Sequence, residues 1–566
     1  MLKVKINAKV RVSIVAILAV LLILMTVVIT IKRGLPMVWD TRFHIGRIYD
    51  IREAFLAHRI PTWVNFSSYH GMGQAINGMY PDITLWPFIL ITNGLSFVNQ
   101  IIAIKVVILL ATFIVTYISL VKHNFIKENS FYVAILYVFT GYSLYQFLYE
   151  LQPGAIAIYI FTFPLVFSIE EVLYTPELNK KLIVKLSLLF GIILYSHLLS
   201  AVVIACLIIS MWLLRVVLEK KLNYFSILNL FLASILTFFY SMPILYRLYV
   251  ISQSKIAPPY GKGLVDSESL NYIFNDPQIY ARVSLSFVAL LLFIISLHYF
   301  GKNSKITRYL IGEMVIILLC SNLIPWNILG KLPLINMFQF TPWRFGIYLS
   351  ALPMLAFLYT HIKNKNMILF VLSLISLAAV PEALSQNNSI FKTSQCTFIN
   401  SKALKADNSN QNFGSIIRDY LPAKTIGNSI NGDVPNFAKR RSFYPKIEGP
   451  QQESNVKKVI SDYGSISLYN QKSVEKGVYT IPVYYYSSLK YRIYVNGKKI
   501  SKIAGDHHGF MKIKFNNLLQ RNSKIVVIYN NPKFYNALLV ASLAIYLFVI
   551  IYFIKLDNIG GKERNR

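Results

Sequence analysis

Cysteine is scarce in this sequence, with three among 566 residues: Cys206 and Cys320 inside apolar runs, and Cys396 in a more polar region. That excludes a disulfide framework and argues against a cysteine-built zinc site. Charge is scarce too, at 14% of residues, and acid scarcer still, with 25 Asp and Glu against 57 Lys and Arg. A soluble domain carries about 25% charged residues, so water is not the solvent for most of this chain. Also missing are the glycine-lysine phosphate loop, a Gly-x-Gly-x-x-Gly turn, a His-Glu-x-x-His helix and a Gly-x-Ser-x-Gly elbow. Their absence argues against an ATP-driven pump or a soluble-type nucleotide enzyme. No internal repeat and no matched pair of Gly/Pro-broken helices favours a secondary transporter.

What is abundant is apolar: 55% of residues are hydrophobic, and long apolar runs recur. About twenty such residues make a helix that crosses a hydrocarbon core of roughly 30 Å with its backbone hydrogen bonds satisfied internally. The basic start, MLKVKINAKVRVS, leads into an apolar run at 14–31 with no small-residue cleavage site before Lys32 and Arg33, which reads as a retained first span. Further spans are expected at 99–121, 131–149, 153–172, 182–197, 199–215, 225–249, 281–300, 309–325, 345–361, 366–383 and 535–554, about twelve in all. Around His197 the reading is open between a turn joining two short helices and one long helix. The connections KHNFIKEN, TPELNKK, RVVLEKK, GKNSKITR, HIKNKN and the basic tail then fall on one side. By the positive-inside rule that side is cytoplasmic, with both termini. The net charge of +32 is spread over these loops rather than gathered on one face, so no nucleic-acid partner is implied.

The expected fold is thus an all-α polytopic membrane protein with an extracytoplasmic β-rich domain. Residues 1–384 form the multi-span part, with a large external loop at 32–100; 385–534 form the β-rich domain; 535–566 hold the last span and a basic tail. Within 385–534, the stretches 478–486, 491–495, 511–515 and 525–529 are rich in β-branched and aromatic residues, and Asn496-Gly497 is a hairpin turn signal. A small β-sandwich is the expected product.

The first external loop holds the densest set of chemical side chains. In a helix starting near Asp40, Asp40, His44 and Arg47 share one face at i, i+4 and i+7. The bland alternative is a helix cap at Asp40 and interfacial filling at His44. Tyr80-Pro81-Asp82 has the same two readings: site, or cap before an apolar stretch. His197, in Ser-His-Leu-Leu-Ser, is an ionisable group inside an apolar segment and a functional candidate on that ground, weighed against a helix-to-helix hydrogen bond. In Gln-Phe-Thr-Pro-Trp-Arg-Phe, Gln339, Trp343 and Arg344 precede a span on the external side, where an arginine runs against the charge rule. An anionic partner accounts for it, since the guanidinium fork suits phosphate.

At these residues the chain resembles the bacterial YfhO-like membrane proteins and the related group labelled 6-pyruvoyl-tetrahydropterin synthase-related membrane proteins, both similar to the C-type glycosyltransferase fold (GT-C). The likeness rests on Trp-Asp-Thr-Arg-Phe-His-Ile-Gly-Arg-Ile after the first span, Gly-Met-Gly and Met-Tyr-Pro-Asp, Ser-His-Leu-Leu-Ser, Gln-Phe-Thr-Pro-Trp-Arg-Phe, Asp-Tyr-Leu-Pro at 419–422, and the β-rich module before a last span. The resemblance implies transfer of a sugar from a polyprenyl-phosphate carrier to an external acceptor such as an envelope glycopolymer or glycolipid, in a bacterial plasma membrane. It also implies a catalytic acid just beyond the first span, the position of Asp40. That fold often has two adjacent acids, whereas Thr41 follows Asp40 here, so Asp40 acts alone or with Asp82. His44 then orients Asp40 or shares its proton, and Arg344 with Arg47 holds the lipid phosphate. Tyr80, His197, Gln339 and Trp343 complete the substrate-binding set. No cofactor is required, although a divalent metal could take part of the arginine role. Two other readings compete: a non-catalytic envelope scaffold, and a lipid-linked polysaccharide flippase or transporter.

Overall fold

The computed structural model describes residues 7–37, 40–139, 141–148, 156–220, 223–257, 273–274, 286–332, 346–393, 398–399, 417–427, 434–460 and 462–564. Among the described residues, five helices are long and apolar enough to cross a membrane: Ala8–Arg33, Phe97–Lys122, Tyr224–Ser252, Lys365–Leu384 and Lys533–Asp557. The first and last of these turn apolar side chains outward, as with Ile17, Leu21 and Phe548. Such faces suit a bilayer and are costly in water. Four further apolar helices, Ile83–Thr92, Leu198–Leu213, Phe287–Leu297 and Ile347–Leu358, are shorter.

Among the described residues the expected count of about twelve crossings is therefore not supported. The expected spans at 153–172, 281–300 and 345–361 lie partly outside those residues, and the stretches 131–149 and 182–215 are each divided between two helices. The stretch expected as one span at 131–149 forms two helices, Lys127–Val138 and Gly141–Leu148. His197 adopts extended backbone (φ −158°, ψ 108°), ending the helix Lys180–Ser196 and starting Leu198–Glu219. Its ring caps the second helix, accepting the Ser200 amide, so the reading with a turn at this point holds. The first half, Lys180–Ser196, is then at the lower limit of the roughly 17 to 25 residues a crossing needs, and the apolar part of the second, Leu198–Leu213, falls just short of it.

The C-terminal domain is one continuous antiparallel sheet rather than two packed sheets. Its strands are β3 (Lys446–Glu448), β4 (Glu453–Val459), β5 (Ser465–Asn470), β6 (Gly477–Tyr484), β7 (Tyr491–Val495), β8 (Lys498–Ile500), β9 (Ile503–Gly505), β10 (Phe510–Phe515) and β11 (Lys524–Tyr529), numbered after a small pair described below. They run in the order β8-β7-β11-β5-β4-β3-β6-β10-β9. Inward residues from both ends of that order, among them Ile493, Val527, Ile466, Val483 and Ile513, share one apolar core, so the sheet curls over itself toward a barrel. Asn496 and Gly497 both take positive φ (43° and 82°) between β7 and β8, the geometry a two-residue hairpin requires.

This domain grips the long loop that follows the first helix. Two short strands, β1 (Leu35–Pro36) and β2 (Phe398–Ile399), pair the exit of the first helix with the chain just beyond the helix Lys365–Thr393. The Tyr484 amide donates to the Met72 carbonyl at 2.8 Å, and the Tyr486 hydroxyl accepts from the Ala75 amide at 3.1 Å. Gln74 Nε2 donates to the carbonyls of Ile417 and Asp419, both at 2.7 Å. Asn531 closes the far side, accepting from the Trp63 amide and donating to the Pro61 carbonyl.

Candidate functional site

The helix Thr41–Leu56 positions the candidate residues. Every residue from Phe43 to Ile51 is buried, polar and apolar alike. An amphipathic helix would leave one face to water, so this helix is enclosed on all sides. What encloses it is the rest of the loop. Gly46 lets the Tyr69 ring lie against the helix backbone: a Cβ there would meet Tyr69 Cζ at 2.7 Å. The Tyr69 hydroxyl donates to the Phe43 carbonyl at 2.5 Å. Tyr69, His70 and Gly71 take three successive left-handed φ values of 51°, 58° and 61°, a conformation that costs the two non-glycine residues about 1–2 kcal/mol each. Lys458 of β4 steadies that turn, its ammonium donating to the His70 carbonyl at 3.0 Å, and burial lowers its pKa to about 7.

His44 and Arg47 lie together as the helical spacing requires. Arg47 Nη1 is 3.1 Å from His44 Nδ1, and a guanidinium can only donate, so Nδ1 accepts and the proton sits on Nε2. Burial, then the charges of Arg47 and His197, holds the His44 pKa well below its usual value. The Arg47 guanidinium stands 4.1 Å over the Tyr80 ring, and Nη2 donates to the Pro81 carbonyl at 2.5 Å. The Tyr80 ring lies between two imidazoles, 5.6 Å from His44 and 5.5 Å from His197. His197 Nδ1 accepts from the Ser200 amide, which gives it the same tautomer as His44. The structure thus gathers His44, Arg47, Tyr80 and His197 from three separated stretches of chain.

Asp40 precedes the helix, and its carbonyl accepts the His44 amide at 3.0 Å. Its side chain makes no capping hydrogen bond, so the capping alternative does not describe it. Asp82 serves another purpose. Its Oδ1 pairs with Arg247 Nη1 at 2.7 Å, both side chains being 2% exposed, and its Oδ2 accepts from Trp86 Nε1 at 2.9 Å. Arg247 also reaches the Tyr80 carbonyl. Gln339, Trp343 and Arg344 lie outside the described residues.

Sequence reasoning missed two groups. Arg247 is one; an arginine inside the apolar run of the helix Tyr224–Ser252 was a visible signal. Asp50 is the other. It is fully buried, accepts from the Ser67 amide (3.2 Å), Asn77 Nδ2 (3.2 Å) and the Tyr463 hydroxyl (3.1 Å), and burial raises its pKa to about 7. Its position three residues after Arg47 carries no such message, because its partners lie 17, 27 and 413 residues away.

Among the described residues no three His, Cys, Asp or Glu side chains gather as metal ligands. The acids and imidazole nearest the site are also engaged otherwise: His44 Nδ1 by Arg47, Asp50 by three donors and Asp82 by Arg247. Among the described residues, this donor set does not fit a divalent ion. No protein-family model matches the chain, and no curated protein matches it.

Proposed function

We propose that the chain is a membrane glycosyltransferase of the GT-C type, moving a sugar from a polyprenyl-phosphate carrier to an extracytoplasmic acceptor such as an envelope glycopolymer or glycolipid. The bacterial plasma membrane and the YfhO-like relationship belong to the same proposal. One observation supports it most. The Arg47 side chain is wholly buried, its hydrogen bonds go to an uncharged imidazole and a carbonyl, and its Nε has no acceptor among the described residues. Neither nearby carboxylate contacts it directly, since Asp82 is paired with Arg247 and Asp50 bonds Tyr463, Asn77 and Ser67. A buried cation of this kind calls for an anion, and a phosphate oxygen matches the guanidinium fork.

In the proposed reaction the acceptor hydroxyl attacks the anomeric carbon and its proton passes to Asp40, one helical turn before His44. The bond from that carbon to the phosphate oxygen breaks, and the lipid phosphate leaves with the electron pair. Arg47, with Arg344, offsets the charge that grows on it. No step uses a metal. The test is product formation by the purified full chain from polyprenyl-phosphate sugars. Asp40→Asn should keep normal membrane abundance and lose on the order of 100-fold or more in rate. Full activity in that variant would remove Asp40 from the reaction.

A second reading, a non-catalytic scaffold, draws on the structural engagement of Asp82 and Asp50. It expects no turnover from any donor and no effect of Asp40→Asn.

A further inference from the structure

The helix Leu198–Glu219 starts at His197, beside the candidate site, and carries Arg215 eighteen residues on, which places Arg215 about 27 Å away along the axis. At that far end two cavities share the wall formed by Glu170, Tyr174 and Arg308. One is a slot of about 340 Å³ whose walls are apolar, including Val166, Ile169, Leu207, Met211 and Leu352. The other is a vestibule of about 1170 Å³ among the lysine-rich ends of the helices.

The vestibule lining carries more positive than negative charge. Asp557 is shared by Lys122 (3.2 Å) and Lys181 (2.5 Å). Glu171 faces Lys185 at 3.5 Å, and Glu170 faces Arg308 at 3.5 Å while accepting from the Tyr309 hydroxyl at 2.6 Å. Lys305 has a phenol, the Tyr359 hydroxyl at 3.3 Å. Five lining cations thus meet three carboxylates. At the junction with the slot, the guanidinium groups of Arg308 and Arg215 lie 3.5 and 4.4 Å from the Tyr174 ring centroid. Arg308 also faces Glu170, so at this junction the excess positive charge of the lining is nearest Lys305, whose neighbour is a phenol.

A basic chamber opening beside an apolar slot suits a molecule with an anionic head and a hydrocarbon tail. We propose that this end of the bundle is a binding site for one anionic phospholipid of the adjoining leaflet, its phosphate among Lys305, Arg308 and Arg215 and one acyl chain in the slot. Basic pockets between membrane helices are suited to lipid phosphates, and each cation near the head adds to the attraction. The slot volume lies near the lower end of the range for small-molecule sites, which favours a single chain over a whole diacyl lipid. The site is separate from Asp40 and does not depend on the reaction proposed there.

The test is native mass spectrometry of the purified full chain in neutral detergent, titrated with phosphatidylglycerol, phosphatidylcholine or inorganic phosphate. Wild type should retain one phosphatidylglycerol at a concentration about tenfold or more below that needed for phosphatidylcholine. Lys305→Gln with Arg308→Gln should abolish that preference. Met211→Trp, which fills the slot, should weaken retention of phosphatidylglycerol about tenfold or more, while Met211→Leu should not. If the double variant does not fold, the Met211 pair decides alone, because it leaves every charge in place. Equal retention of the two lipids by wild type, a silent Met211→Trp, or displacement of phosphatidylglycerol by inorganic phosphate at equal concentration would overturn the proposal.

Discussion

Asp50 shows how one side chain can make a site pH-sensitive without taking part in its chemistry. A carboxyl whose folded pKa lies near 7, against an ordinary value of 3.8, binds its proton more tightly in the folded protein. Its contribution to stability is therefore fully present below about pH 4, is lost as pH rises toward 7, and stays lost above. Three units correspond to about 4 kcal/mol at most. Asp50→Asn cannot titrate and keeps the shape, so its thermal midpoint in detergent should vary less between pH 5 and pH 8 than that of wild type. An identical slope in the two proteins would mean that Asp50 does not titrate as its burial implies. The same residue marks where sequence reading ends. The His44 and Arg47 pairing follows from helical period, and a glance at spacing finds it. The burial of Asp50 follows from Tyr463, which no local pattern connects to it.

At the scale of elements, the helix Thr41–Leu56 breaks a usual rule. Alanine in place of glycine inside a helix normally stabilises by roughly 0.5–1 kcal/mol. Here Gly46→Ala would drive a methyl into the Tyr69 ring, which the left-handed turn holds in place. We expect the substitution to destabilise, by about 1–3 kcal/mol as overpacking does, and Tyr69→Leu in the same chain to recover part of the loss. Chemical denaturation of the four proteins tests the sign. Other elements were legible for clear reasons. Asn496-Gly497 declares a hairpin because few residue pairs accept two positive φ values. The long apolar helices declare themselves by length. β4 stayed hidden, since Glu-Ser-Asn-Val-Lys-Lys-Val offers only two apolar residues, and one of its buried positions is Lys458. The end of the helix Lys127–Val138 and the shortness of several helices were equally hard to see, because an apolar run records composition and not where a helix stops.

For the whole molecule, the loop after the first helix and the β domain behave as a single body. Their backbone hydrogen bonds, the Asn531 clasp and the Asp50 to Tyr463 bond all cross between them. Hydrogen exchange should therefore show amides of 62–78 opening together with those of β5 and β6, as one cooperative unit. Tyr463→Phe, which removes the donor to Asp50 and the acceptor of the Thr62 amide, should speed exchange in both regions alike. Faster exchange in the loop alone would separate the two.

The distance along the chain between these partners has a bearing on how the protein is made. Asp50 and Tyr463 are 413 residues apart, and Pro61 and Asn531 are 470 apart. At about 5–20 residues per second, a ribosome reaches Tyr463 roughly 20 to 80 s after Asp50. Throughout that interval the loop, with its histidine, arginine and aspartate, has left the ribosome while the strands that cover it do not yet exist. Closure of the site is therefore one of the last events of synthesis.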